Sequence, residues 1–267
     1  MGDKGSQFES SVTIAPPVGI GRYYPDAADP QSPANVAVAI PTVLRPVLAQ
    51  AVESVFAQRL SGRVQLLVGV DKPAPDDGLL DALLARRPPH VSAVTFRLPF
   101  STSVRNGGLH KATDGGALRA IMSLAANAPF VAYLDDDNSW KSDHLAKLLA
   151  AIPGKAWAFA QRVLVEEGTW RELGVDTWDS VGVDRGRFAA RGGFVDPNCL
   201  MVDKVACARA LGRWAETASG RAGMDADRWF FEAIRRAPHG RVDDATVRYT
   251  VRPTNILLRF LAEGRIF

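Results

Sequence analysis

Cysteine is nearly missing from this sequence, long apolar runs are missing altogether, and neither sign of charge dominates. Cys199 and Cys207 form neither a C-x-x-C pair nor a disulfide framework, which suits a reducing compartment. No stretch approaches the length of a membrane span, and the opening M-G-D-K-G-S-Q has no signal-peptide core. The expected address is therefore the cytoplasm. Lys and Arg number 32 against 29 Asp and Glu, a net charge of +3, with the arginines scattered. That argues against a nucleic-acid footprint and leaves room for an anionic small ligand. A Walker phosphate loop and a G-x-S-x-G nucleophile elbow are absent. Gly19-x-Gly21 lacks the third glycine and the preceding strand of a dinucleotide fingerprint.

What is present is a globular composition, 47% hydrophobic and 23% charged, over 267 residues. That length holds one large domain with a substantial core, or two small ones. Residues 1–34 carry five prolines between Pro16 and Pro33 with little periodicity, and read as an irregular arm. From Val36 onward, strand and helix patterns alternate. Strands are predicted over 36–40, 64–70, 91–97 and 130–134, with helices after Pro46 and over 79–86, 117–126 and 143–152. Such alternation means an α/β fold with a mainly parallel sheet. Beyond it, strands are predicted over 156–165, 199–202 and 247–251, and a helix over 205–215. Residues 166–193 read as a long polar excursion.

Function in parallel sheets collects beyond the carboxyl ends of the strands. Thr42, Asp71 and the run Asp135-Asp136-Asp137 all fall at such ends. If the chain stays extended past Leu134, Asp135 and Asp137 point to one side and Asp136 to the other. Two carboxylates there make a hard oxygen site for Mg²⁺ or Mn²⁺, open to a phosphate-bearing ligand. The alternative is an acidic surface turn that caps the following helix.

In order, the chain carries V-A-V-A-I-P-T-V-L-R-P at 36–46, S-V-F-A-Q at 54–58, L-L-V-G-V-D at 66–71 and N-G-G at 106–108. Y-L-D-D-D-N-S-W-K-S-D-H-L follows at 133–145, then C-L-M-V at 199–202 and M-D-A-D-R-W-F-F at 224–231. This ordered set resembles glycosyltransferase family 2, the inverting, nucleotide-sugar-dependent transferases, over roughly residues 35–235. The resemblance implies a GT-A, Rossmann-like fold with helices on both faces of the sheet. Residues 35–140 would form the nucleotide-sugar half, and 141–267 a smaller mixed acceptor half with a C-terminal tail.

The resemblance also implies roles. Pro41 and Thr42 match the turn that lines the nucleotide site, and Asp71 the carboxylate that contacts base or ribose. Asp135 and Asp137 match the D-x-D pair, the first facing ribose and the second the metal, with Asp136 drawn in if the register shifts by one. Asp225, with Asp227 next in line, matches the acidic residue that acts as general base. Where the family has Tyr-Asn after Pro-Thr, this chain has Val43-Leu44, and Lys72 replaces a second acidic residue. Arg105 and Arg119 are both imperfect matches to an expected Arg-Asn.

The residues leave several roles open. Arg45 either neutralises phosphate or is solvated beside a helix start. Trp140 either stacks on an acceptor sugar or belongs to the core. Asp225 and Asp227 would serve equally as charge at a helix N-terminus. His144 and Lys147 read as surface residues, and His239 as a metal ligand or a solvated loop residue. Residues 256–261, with Arg252, Arg259 and Arg265 nearby, either cover the sheet, join a homodimer or touch a membrane surface. The expected activity is metal-dependent transfer from a UDP-sugar, or second a GDP-sugar, to an unidentified acceptor. A sugar nucleotidyltransferase and a catalytically silent nucleotide-sugar-binding scaffold are the rival readings.

Overall fold

The apolar stretches become strands where both faces are covered, and the sequence breaks become the sites of turns. The computed structural model describes residues 19–25, 29–72, 78–113, 115–217, 226–252 and 255–264. Its first half runs β1 (Gly19–Tyr23), β2 (Val36–Thr42), α1 (Leu48–Phe56), β3 (Val64–Val70), α2 (Leu79–Ala85), β4 (Val91–Arg97), α3 (Gly116–Ala125) and β5 (Phe130–Tyr133). Then follow β6 (Ser139–Trp140), α4 (His144–Ala151), β7 (Trp157–Glu166), β8 (Glu172–Val175), β9 (Gly182–Val183) and β10 (Gly193–Phe194). The chain closes with β11 (Leu200–Asp203), α5 (Ala226–Ile234), β12 (His239–Val251) and α6 (Ile256–Ala262).

Ten strands form one sheet in the order β1-β4-β3-β2-β5-β11-β7-β12-β6, with β8 pairing to β7 off that row. β4, β3, β2 and β5 run parallel to one another. β2 and β3 are buried at every residue, as strands covered on both faces must be. Beyond β5 the sheet is mixed. β11 is antiparallel to β5 and β7, β12 is parallel to β7, and β6 closes the edge antiparallel to β12. α3 packs on β2 and β3, and α4 on β7 and β12.

One contiguous apolar core runs from Ala34 to Val247 and joins the two halves. At its centre Trp214 stacks on Phe230 of α5 at 4.1 Å and meets Tyr133 of β5 at 4.8 Å between ring centroids. Aromatic pairs of this kind add about 0.5–1.5 kcal/mol beyond their burial. They tie α5 to the end of β5, where the acidic triplet begins.

Three expectations are corrected. Within the arm, residues 19–23 form an edge strand, antiparallel to β4, and the Tyr23 hydroxyl donates to Asp81. G-I-G-R-Y hides this because a strand with one neighbour and an exposed side needs no apolar alternation; residues 1–18 lie outside the described residues. The helix predicted over 205–215 is a 3₁₀ helix at Ala208–Ala215, with the poor helix former Gly212 inside it. The tail, by contrast, packs on the sheet in part, one of its three expected uses: Leu257 is buried with Leu164 and Val251, and Phe260 lies 4.5 Å from Trp178.

The third correction is His144, which is fully buried rather than on the surface. Its ring stacks on Trp140 at 4.4 Å, its Nδ1 lies 2.7 Å from the Thr246 hydroxyl, and its Nε2 has no partner. Burial pushes its pKa down to about 3. Below pH 6.5 the unfolded chain binds a proton at His144 that the folded chain refuses. Stability is therefore expected to fall by about 1.4 kcal/mol per pH unit as pH drops from 6.5 toward 3. Urea midpoints between pH 7 and pH 5 should show this slope for the native protein and lose it in His144→Phe.

Candidate active site

The parallel strands bring their carboxyl ends together, and the polar residues gather there. Thr42 ends β2, Asp71 follows β3, and the acidic triplet follows β5 after Leu134. Backbone bonds fix the alignment: Asp71 N–H donates to Thr42 O at 2.8 Å, and Leu134 N–H to Ala39 O at 3.1 Å. Eight of the nucleotide and metal residues expected from the sequence line one hollow of about 450 Å³: Pro41, Thr42, Arg45, Asp71, Arg105, Asp135, Asp136 and Asp137. Ligand sites commonly occupy about 300–1,000 Å³.

The triplet does not stay extended. It turns, with Asn138 N–H donating to Asp135 O at 3.2 Å, so all three carboxylates reach the hollow. The turn is held from β12, where Thr250 donates its hydroxyl to Asp137 O at 2.6 Å and its N–H to Asn138 Oδ1 at 2.8 Å. Each carboxylate then has its own partners. Asp135 pairs with Arg119 and accepts the Asn198 side-chain amide at 2.8 Å. Asp136, almost fully buried, accepts the Thr42 hydroxyl at 2.7 Å and pairs with Arg45. Asp137 pairs with Arg252 and lies 3.3 Å from Arg45.

The walls are equally specified. Asp71 is 4% exposed and accepts both the N–H and the hydroxyl of Thr102, the former at 3.0 Å. Gly115 has φ +72°, and a Cβ there would come within 2.5 Å of the Pro41 side chain, so only glycine lets α3 start against the β2 turn. Leu44 has φ 61°. Asparagine enters this left-handed region far more readily than leucine, so the conformation costs this chain about 1–2 kcal/mol. Its N–H donates to Thr42 Oγ1 at 2.9 Å, which aims the hydroxyl at Asp136.

Other candidates fall elsewhere. Trp140 is 2% exposed, stacked on His144, with Nε1 donating to Asn198 O at 2.9 Å. It belongs to the core and offers no face to a sugar. His239 stacks on Trp157 at the amino end of β7, opposite the triplet, and is no metal ligand there. Asp225 lies outside the described residues. Asp227 stands in the first turn of α5, where its carboxylate accepts the Arg228 N–H at 2.7 Å, and it does not line the hollow. Its neighbour Ala226 does reach the start of α3, 3.1 Å from where a Cβ on Gly116 would be.

Sequence reasoning missed two supports of the triplet, Arg252 and Asn198, and matched a third imperfectly. Arg119 was in view only as an imperfect match; it is buried on α3, 5.4 Å over the Trp214 ring. Arg252 follows the end of β12, and Asn198 sits in a D-P-N turn before β11. Asn198 binds Asp135 twice, accepting its N–H at 2.7 Å as well as donating to its carboxylate. Asp196 holds the Asn198 amide at 2.7 Å and itself accepts from Arg162 at 2.8 Å. Only the turn residues around Asn198 gave a local signal.

Among the described residues, no three His, Cys, Asp or Glu side chains are grouped to hold a metal ion. Mg²⁺ needs only one or two protein carboxylates when phosphates and waters complete its shell. Asp137 fits that need. Burial, followed by the Asp135 charge, raises its pKa although Arg45 and Arg252 act the other way. A cation beside it would relieve that excess of negative charge.

Strand order, with the polar carboxyl ends around the hollow, makes a GT-A type of α/β fold, Rossmann-like in its parallel half. Structures of S. aureus TarS share it. One matches with TM-score 0.59 and 14% identity, over 86% of this chain and 39% of that chain. TarS in complex with UDP matches at 0.58 and 16% identity, over 86% and 64%, and with UDP-GlcNAc at 0.56 and 16%, over 83% and 60%. This chain thus spans less than two thirds of each of those chains. No family model matches the sequence, and no curated protein matches it.

Proposed function

We propose that this protein is a metal-dependent, inverting glycosyltransferase that takes a sugar from a UDP-sugar and passes it to an acceptor hydroxyl. The observation that carries the reading is the single hollow joining Thr42, Asp71 and the acidic triplet at the strand ends. Five cationic side chains and four carboxylates line it, which suits a diphosphate bound together with a divalent cation. The TarS complexes with UDP and UDP-GlcNAc favour uridine over guanosine as the base.

In this reading Asp71, fixed by Thr102, receives the base or ribose, and Asp135, fixed by Arg119 and Asn198, the ribose. Arg45, Arg105 and Arg252 balance the phosphate charge. Asp137, with Asp135, would hold Mn²⁺ or Mg²⁺, which when bound offsets the charge that grows on the departing diphosphate. Asp225 is the base, with Asp227 as second choice: its carboxylate oxygen takes the acceptor's hydroxyl proton. The acceptor oxygen then forms a bond to the anomeric carbon from the face opposite the breaking carbon–oxygen bond, and UDP leaves.

The test is calorimetric titration of UDP and GDP with and without Mn²⁺, followed by a UDP-GlcNAc hydrolysis assay. UDP should bind more tightly than GDP, with at least about tenfold dependence on Mn²⁺. Failure of both nucleotides to bind would reject the transferase; binding without turnover on any donor or acceptor would favour the silent scaffold.

A further inference from the structure

The three carboxylates of the triplet differ in how far their oxygens are already engaged. Asp135 gives one oxygen to Arg119 and the other to Asn198. Asp136 engages both oxygens with Arg45 and one of them also with Thr42. Asp137 sets only its Oδ2 against cations, Arg45 and Arg252, and among the described residues nothing meets its Oδ1. The charge of the carboxylate best suited to a divalent cation is thus matched by guanidinium.

Those two arginines are anchored unequally. Arg45 sends two nitrogens to the buried Asp136, so it stays in place whether or not it also serves Asp137, 3.3 Å away. Arg252 has, among the described residues, one other ion-pair partner, Glu167 at 3.5 Å. Both of those side chains are well exposed, at 43% and 44%. An ion pair this open to water contributes little to stability, so its guanidinium exchanges partners readily. Arg252 also lines the same hollow as Arg45 and Arg105, where an anion bound in that hollow would meet it.

We propose that Arg252 is a placeholder for the cation: it neutralises Asp137 in the unliganded protein and moves to the nucleotide's diphosphate when cation and nucleotide bind together. The proposal rests on the transferase reading above. Its planar fork suits both posts, since it matches carboxylate and phosphate oxygens alike. The consequence is linkage between the two ligands. A cation on Asp137 releases Arg252 for the diphosphate, and a diphosphate draws Arg252 off Asp137, so each ligand raises the affinity for the other by the same factor.

Calorimetry on the full chain tests this with Mn²⁺ alone, UDP alone and UDP at saturating Mn²⁺. Arg252→Gln should bind Mn²⁺ alone about tenfold more tightly than the native protein, because the competitor is gone, and UDP alone about equally. It should bind UDP at saturating Mn²⁺ about tenfold more weakly, the loss expected of one charge-assisted hydrogen bond. Arg252→Lys, which keeps the charge without the fork, should fall between the two proteins in both affinities, and melting curves check that each variant folds. Lys72→Gln removes an equal charge from the wall of the same hollow, away from the ion pairs of Asp137, and should change the affinity for Mn²⁺ alone by less than about threefold. No gain in Mn²⁺ affinity in Arg252→Gln, an equal gain in Lys72→Gln, or an equal loss of UDP affinity with and without Mn²⁺ overturns the proposal while the transferase reading stands. A native protein that binds no UDP at saturating Mn²⁺ overturns the transferase reading, and the second post of Arg252 falls with it.

Discussion

Replacing Arg162 with methionine is expected to unfold most of the protein. Arg162 is fully buried on β7, and its three nitrogens each meet a different carboxylate: Asp176 at 2.8 Å, Asp179 at 2.7 Å and Asp196 at 2.8 Å. Tyr249 of β12 lies under the guanidinium at 4.0 Å. Burial opposes the charge on Arg162, but Asp196, Asp176 and Asp179 outweigh it and hold the group protonated. Removing one partner of a buried ion pair costs about 3–5 kcal/mol, because the other charge stays buried and uncompensated. Here three carboxylates would be stranded, against a total stability of about 5–15 kcal/mol for an ordinary domain. Lysine should fail nearly as badly, since one ammonium cannot meet three carboxylates in the plane of a guanidinium. Urea unfolding with far-UV dichroism reads this directly. A midpoint for Arg162→Met within error of the native one would show that the cluster contributes nothing.

The same cluster explains why the polar excursion after residue 166 defied sequence reading. Asp176 turns the chain by accepting the N–H groups of Trp178, Asp179 and Ser180 at 2.9–3.0 Å, and Arg162 gathers that turn to β7. Nothing local announces this, because the organising residue lies on a strand and looks like any solvated arginine. By contrast, β2, β3 and β5 were legible because each apolar run is buried, β2 and β3 throughout and β5 past Phe130, and stops abruptly at a polar residue. Those stops are Thr42, Asp71 and Asp135, so the pattern that revealed the fold also revealed the hollow. The partners that set the triplet's geometry were not legible. Arg252 reaches Asp137 across 115 positions and Asn198 reaches Asp135 across 63, distances over which no periodicity operates. The expected alternation of Asp135 and Asp137 failed for a related reason. It assumed an extended chain, whereas two hydrogen bonds from Thr250 bend it into a turn.

That turn separates the roles of adjacent carboxylates, and substitution should reveal the separation. Asp136 is committed to Thr42 and Arg45 and is almost fully buried, so its part is to fix the β2 turn against the triplet. Asp137 keeps about a quarter of its side chain exposed to the hollow, which leaves it able to meet a ligand. Asp137→Asn preserves size and removes the charge, and should lower turnover by about 10²–10³ with little change in thermal midpoint. Asp136→Asn should instead lower the thermal midpoint, since a buried charge-assisted bond from Arg45 is lost, worth about 1.5–3 kcal/mol. Turnover measured across a Mn²⁺ series, beside melting curves for both variants, distinguishes the two. If Asp137→Asn turned over like the native protein at every Mn²⁺ concentration, the charge at this position would be idle. The hollow would then need another explanation for gathering three carboxylates in a turn that β12 holds in place.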